Sequence, residues 1–307
     1  MQYDPQAPLW RALSIPNSLI STRLAGDLGP SGWDEGAVIR RSQAYAAIKI
    51  NDLGARLPCT ENSLICHQTH SLRIIVLLQS QAAIALSGHW DQTQSLNLST
   101  ELLPLPPGTS GWEALRTTLP EWVGGLDADG LITDDPAYWL GVTVADCLPI
   151  LMRAKKTDGR EVRAALHSGW GGTGILAAAV TFLAQLGCGD LVIQMGPSIA
   201  ACDYPVPPER AGIFAKRFGP ESVITCADGQ PGLDLQEANL ALLTGRAPAV
   251  GRLIASNSGR TPWASLAAAA RVHQISHSTT TLEWSYSYRR DGKQNYGRML
   301  TMIGAQA

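Results

Sequence analysis

The chain has 307 residues, 45% apolar and 16% charged, so it can bury a large core and is not a disordered chain. A net charge of −2, with Arg40-Arg41 and Arg289-Arg290 as isolated basic pairs, gives no footprint for nucleic acid or an anionic membrane. No apolar stretch is long enough to cross a bilayer, and the opening MQYDPQAPLW lacks the basic and apolar regions of a secretion signal, so a cytoplasmic protein with its six scattered cysteines reduced is expected.

In chain order, the first thirty or so residues are rich in Pro, Gly and turn formers around one apolar run at 18–21. An acidic first turn, with Val38, Tyr45 and Ile48 at helical spacing, predicts a helix over 34–50. Apolar, β-branched runs predict strands at 63–66 and 72–78. From 79 to 125 Ser, Thr and Gln dominate, and Leu103-Pro104-Leu105-Pro106-Pro107-Gly108 suits neither a central strand nor a helix interior. This segment reads as an inserted excursion with one short helix near 112–118. Strands are predicted at 139–144, 148–153, 162–167 and 191–195. A glycine-rich turn at 169–174 leads into a Leu- and Ala-rich helix at 175–186 that stops at Gly187. Further helices are expected at 208–218 and 235–243. Helices and strands intermix throughout, so the class is α+β, and no dinucleotide fingerprint or phosphate loop occurs.

Three places carry chemistry. Asp146-Cys147 interrupts apolar strand-like sequence just before Pro149, which removes a ladder donor, so the cysteine sits at a strand break where side chains face clefts. His167 ends a buried strand and meets Gly169 to Gly172, whose amides open a helix and suit an anion. Taken singly, each is also explained by packing, as a buried thiol or a strand-end imidazole bonded to a carbonyl. Cys66-His67-Gln68-Thr69-His70 holds two histidines that a strand would turn to opposite faces, so one of them is a ligand candidate and spacing does not say which. Two imidazoles and one thiolate suit zinc, and three protein ligands leave a coordination position open.

Several blocks in order resemble the laccase-domain family, also called multicopper polyphenol oxidoreductase or peptidoglycan-editing-factor-like proteins. They are Ser21-Thr22-Arg23, Gln68-Thr69-His70, Asp129-Gly130-Leu131-Ile132-Thr133, Val144-Ala145-Asp146-Cys147-Leu148-Pro149-Ile150, His167-Ser168-Gly169-Trp170, Gly196-Pro197-Ser198-Ile199, and Tyr286-Ser287-Tyr288-Arg289-Arg290-Asp291 with Gly297-Arg298. The resemblance implies a single domain over residues 1–307, an α/β/β/α layered sandwich of mixed sheets, with the excursion at about 79–125 inserted. It selects His70 over His67, so that His70, Cys147 and His167 are the implied ligands of zinc. Six histidines are too few for a multicopper centre, which makes copper the lesser expectation. It implies activity on purine nucleosides: adenosine deamination, or phosphorolysis of the N-glycosidic bond.

The substrate shell departs from the family pattern. Gly171 stands where an arginine follows the tryptophan, Arg40-Arg41 replaces an asparagine-arginine pair, Pro30-Ser31-Gly32-Trp33 replaces an asparagine-leucine-glycine segment, and Ser276-His277-Ser278-Thr279 replaces a cysteine-threonine block. Losing a cation at 171 weakens the case for phosphate. Asp146 is the nearest carboxylate for proton transfer or for orienting a ligand. Gly169 and Gly171 offer amides to substrate, Arg41 and Arg289 are candidates to grip phosphate, and Ser287 and Tyr288 to meet a base. The partners implied are small molecules, a nucleoside with or without phosphate, and neither nucleic acid nor membrane. Other readings are a metal-free cysteine hydrolase or deamidase using Cys147 and His167, a specialised biosynthetic enzyme, or a non-catalytic nucleoside-binding protein.

Overall fold

Side chains along the central strands alternate between two apolar environments, and that alternation sets the layers. The computed structural model describes residues 10–28, 40–41, 43–45, 62–79, 83–103, 127–249 and 260–306. Its strands are β1 (Trp10–Ala12), β2 (Ser18–Ser21), β3 (Ser63–Ile65), β4 (Leu72–Leu77), β5 (Ile84–Trp90), β6 (Leu96–Leu102), β7 (Gly130–Thr133), β8 (Trp139–Val144), β9 (Leu148–Lys155), β10 (Glu161–Ser168), β11 (Gly189–Met195), β12 (Val223–Thr225), β13 (Pro231–Leu233), β14 (Arg271–Gln274) and β15 (Met299–Ile303). Among the described residues an eight-stranded sheet runs β14-β11-β9-β10-β7-β4-β5-β6, a five-stranded sheet runs β1-β2-β15-β8-β3, and β12 and β13 form a hairpin. β3–β8, β4–β7 and β11–β14 pair in parallel and the other neighbours antiparallel, so both large sheets are mixed.

In β4, Ile74 and Val76 face a helical layer while Ile75 and Leu77 face the second sheet. In β9 and β10, Ile150, Met152, Ala164 and Leu166 face the helices, and Leu151 and Ala165 meet Leu140, Val142 and Ile303 of the smaller sheet. The main helix, α1 (Ile175–Gln185), is buried along nearly its whole length, and its run of three alanines lets it lie close on the sheet. It ends in a Schellman turn: Gly187 takes φ +69°, its N–H reaches the Ala184 carbonyl and Cys188 N–H reaches that of Leu183. The remaining helices are α2 (Pro208–Phe218), α3 (Leu235–Leu243), α4 (Arg260–Ala268) and the short α5 (Tyr288–Asp291). On the outer face of the smaller sheet, helical Ala44 and Tyr45 pack with Trp10, Trp139 and Leu300. The rest of the predicted 34–50 helix, and the helix predicted near 112–118, lie outside the described residues.

The first part of the 79–125 segment extends the sheet. β5 and β6 form a hairpin at its edge, with Leu86 and Leu96 buried and Ser99, Thr100 and Glu101 exposed. The cysteine expectation needs correction. Cys202 and Cys226 are joined in a disulfide, with Cα atoms 5.4 Å apart, while Cys66, Cys147 and Cys188 are free thiols. The bond is made because Val206 N–H bonds to Pro231 O and Leu233 N–H to Tyr204 O, drawing the turn at Ala201–Asp203 onto the β12–β13 hairpin.

Candidate functional site

One side chain from each of three segments meets at the end of the two-sheet core. β10 delivers His167, the turn between β8 and β9 delivers Cys147, and the loop between β3 and β4 delivers His70. The ligand atoms of all three lie within 4.8 Å of one another, and Cys147 Sγ is 3.6 Å from His70 Nε2. Zinc bonds of about 2.3 Å to sulfur and about 2.0–2.1 Å to nitrogen, at a tetrahedral angle, set such atoms about 3.6 Å apart. A thiol–imidazole contact alone has the same length, but a catalytic dyad needs one imidazole. Here two converge on one sulfur, with ring centroids 4.8 Å apart at 76°. The donor set therefore fits a divalent cation.

Asp129 holds the arrangement, and sequence reading gave it no role. Its fully buried carboxylate lies 2.7 Å from His167 Nδ1 and accepts the N–H groups of Thr69, His70 and Ser71 as well as the Ser71 hydroxyl. Burial raises the pKa of this carboxyl, but the bonds to His167 and Ser71 outweigh it and lower it below the ordinary range. An ionised carboxylate only accepts, so Nδ1 carries a proton, and in the neutral imidazole the lone pair is left on Nε2, the nitrogen away from Asp129. One acid thus orients one imidazole and fastens the loop that carries the other. The available signal was an aspartate leading an otherwise apolar buried strand, Gly130–Thr133.

Two further features set the approach. His70 and Asp146 both have positive φ, +61° and +118°, conformations that L residues rarely adopt and that the surrounding bonds impose. A Cβ on Gly169 would lie 2.8 Å from His70 Cδ2 and 2.9 Å from Cys147 Sγ, so only glycine admits the ligands this closely. Gln68 clips the same loop to β8, donating to the Thr143 carbonyl and accepting from the Thr143 N–H and hydroxyl. His67 turns away to an exposed pair with Asp127 at 2.8 Å; the two histidines part in a loop, since β3 ends at Ile65.

Electrostatics favour a thiolate. Burial opposes it, but the His167 charge and bonds from His167 and His70 lower the Cys147 pKa to about 6. Burial would discharge His167, but the Cys147 charge and Asp129 raise its pKa to about 9.

The three residues line a cavity of about 550 Å³, with Gln68, Asp146, Tyr204, Tyr288, Arg289, Tyr296 and Arg298 on its walls. Asp146 is not free to carry protons. Its Oδ1 accepts from Thr279 Oγ1 at 2.6 Å and its Oδ2 from Arg289 N at 2.9 Å, and burial raises its pKa against these bonds. Ser287 is a buried cap that accepts from Arg290 N. Arg41 is buried and is not among the lining residues, and Gly171 sits against the His70 carbonyl. Tyr204, Tyr296 and Arg298 were not singled out from the sequence. Arg298 stood within a resembling block, and the two tyrosines had no pattern to mark them.

The family model described as multi-copper polyphenol oxidoreductase laccase matches residues 43–306. A purine nucleoside phosphorylase of Mycobacterium tuberculosis is 34% identical over 114 residues, 36% of this chain and 44% of that protein. The purine nucleoside phosphorylase YlmD of Geobacillus stearothermophilus is 31% identical over 187 residues, 57% of this chain and 59% of that protein. The chain thus spans about half the length of these curated relatives. Over whole chains, the crystal structure of YlmD superposes with a TM-score of 0.63 at 20% identity, covering 99% of each chain. That of the hypothetical protein YfiH of Bacillus licheniformis gives 0.62 at 20%, covering 99% of this chain and 100% of the other.

Proposed function

This chain belongs to the multi-copper polyphenol oxidoreductase laccase family, and from that premise we propose that it is a zinc-dependent enzyme acting on purine nucleosides, by phosphorolysis of the N-glycosidic bond or deamination of adenosine. The observation that carries the reading is the convergence of His70, Cys147 and His167 in a cavity that also holds tyrosines and arginines. Two relatives named for purine nucleoside phosphorolysis support the substrate class. Two imidazoles and a thiolate are a zinc-type donor set, and a zinc held there supplies Lewis acidity toward a substrate oxygen or water.

The chain's own groups supply the rest. Asp129 keeps His167 in the tautomer that presents Nε2 and holds His70 in place. Asp146 acts as a brace rather than a proton carrier, tying Arg289 to the turn that bears Cys147. Tyr288 and Tyr296, edge to face with centroids 4.9 Å apart, offer ring surface to a planar base. Arg289, which also lines the cavity, offers a planar cation to an anion. Gly169 contributes by letting the ligands close up.

The test is incubation of zinc-loaded protein with adenosine, with and without phosphate. Ammonia formed without phosphate identifies deamination, and free adenine formed only with phosphate identifies phosphorolysis. No product under either condition overturns the nucleoside reading. The lowered thiol of Cys147 beside the raised His167 favours a second reading, a metal-free cysteine hydrolase or deamidase. Activity that survives a strong chelator but is lost to iodoacetamide would select it.

A further inference from the structure

We propose that Cys202 and Cys226 are a reversible thiol–disulfide site that fixes Tyr204 in the cavity wall, so that a thiol reductant loosens the wall and reoxidation restores it. That the wall encloses a nucleoside rests on the reading above. The coupling of the disulfide to the wall stands on how this segment is tied.

Tyr204 lines the cavity, and the Arg289 Cζ lies 5.1 Å over its ring. It follows Cys202 by two residues, directly after the turn Ala201–Asp203. On one side the segment is tied to the site. Ile199 N–H bonds to the carbonyl of Asp146, the neighbour of Cys147, and Asp203 Oδ2 accepts the hydroxyls of Ser278 and Thr280. On the other side the ties run to one hairpin, β12–β13. The disulfide joins Cys202 to Cys226, Leu233 N–H bonds to the Tyr204 carbonyl at 3.3 Å, and Val206 N–H bonds to the Pro231 carbonyl at 2.9 Å. A Cβ on Gly232 would overlap the Ala201 carbonyl, so hairpin and turn are in close contact.

The hairpin is a weak anchor by itself. Its strands are three residues each and form a sheet of their own, and an isolated two-stranded ribbon is marginal in water. The inner end packs on the core through Val223 and Leu233. The outer end is wet: Ile224, Thr225 and residues 227–230 are exposed. Cys226 sits at that outer end, so the covalent bond holds the part that packing does not. Between the two cysteines lies α2, whose Phe214 and Phe218 are buried in the core. Breaking the bond therefore leaves the middle of the loop anchored and releases its two ends, one of which leads into Tyr204.

The bond is also reachable. Cys202 is exposed, Cys226 is half-buried, and neither is among the residues lining the cavity. A reductant thiolate attacks the Cys202 sulfur, the S–S bond breaks, and Cys226 leaves as a thiolate that takes a proton from water. A second reductant thiolate attacks the reductant sulfur of the mixed disulfide. It releases Cys202, which is protonated in turn, and the reductant departs as its own disulfide. Two electrons pass to the protein, and the reverse sequence closes the bond.

The test equilibrates the zinc-loaded full chain in glutathione buffers of graded poise. Thiols at 202 and 226 are counted by trapping and mass spectrometry, and hydrogen exchange is followed in a peptide covering 200–206, with α1 as control. Exchange at Tyr204 and Val206 is expected to be about tenfold faster in the reduced form, to share the midpoint of the thiol count, and to recover on reoxidation, while α1 is unchanged. Adenosine, titrated by calorimetry, is expected to bind the reduced form about fivefold more weakly, and by linkage to favour the disulfide by the same factor. The variant Cys202→Ser with Cys226→Ser should show the fast exchange and weak binding at every poise. Reduced wild type makes the same comparison if that variant does not fold. Cysteines that stay reduced in the most oxidising buffer would overturn the proposal. So would exchange at 204–206 that ignores the thiol count, or an adenosine affinity equal in both forms. Protein that binds no adenosine in either form removes the nucleoside reading instead, and the exchange result alone then decides the switch.

Discussion

Two histidine–aspartate pairs of nearly equal length flank the same loop. His67 and Asp127 lie 2.8 Å apart at the surface, with side chains 51% and 66% exposed. His167 and Asp129 lie 2.7 Å apart in the core, 4% and 0% exposed. The first pair is screened by water and is worth at most about 1 kcal/mol. In the second, the carboxylate has no solvent to satisfy it and takes bonds from three backbone amides and a hydroxyl besides the imidazole. The comparison teaches that bond length alone does not identify a working pair. Burial does, because it forces one group to serve several donors and so couples two ligands of the candidate centre through a single side chain.

The largest effect should come from breaking that coupling. Asp129→Asn keeps the shape but not the charge, and zinc affinity is expected to fall about 10- to 100-fold in competition with a chromophoric chelator. An unchanged affinity would reduce Asp129 to a packing residue. Gly169→Ala tests the same contacts from the opposite side. Its Cβ must displace His70 or Cys147, so affinity is expected to drop about tenfold in the same titration. The third effect is a pH midpoint. In zinc-free protein the Cys147 thiolate is present above about pH 6 and lost as the pH falls through it, so alkylation by iodoacetamide should reach half its maximal rate near pH 6. Asp129→Asn withdraws support for the His167 charge and is expected to raise that midpoint, whereas Asp127→Asn should leave it in place. The smallest effect belongs to the surface pair: Asp127→Asn and His67→Ala are expected to change zinc affinity less than about twofold. A larger loss would make the two pairs equivalent and remove the distinction.

How much of this was legible in the sequence follows from how local each signal is. The bounds of β4, β8 to β11 and of the first three helices lie within two residues of those predicted, because apolar runs and glycine stops act over a few neighbours. The β5–β6 hairpin was read as an excursion because an edge strand is wet on one side, and Ser99 to Glu101 carry the polar sequence that suits it. Cys202 and Cys226, 24 residues apart in no recognisable spacing, gave no sign of bonding. Cys147 and His167 stood out because a polar residue inside an apolar strand pattern is conspicuous, whereas His70 was told from His67 only by the family resemblance. Asp129 did not stand out, because its meaning lies in donors 38 and 58 to 60 residues away in sequence. Arg289 and Arg298 stand near Tyr288 and Tyr296 in sequence but far from His70, Cys147 and His167, and no local rule distinguishes Arg289 from the neighbouring Arg290.

The central claim is most directly tested by zinc content per chain, measured by elemental mass spectrometry after zinc loading and desalting. The measurement is made on wild type and on His70→Ala, Cys147→Ala and His167→Ala, each checked for folding by circular dichroism. Three converging ligands predict one zinc in wild type and almost none in any folded variant. Wild-type protein without zinc, or folded variants that retain it, would contradict the account.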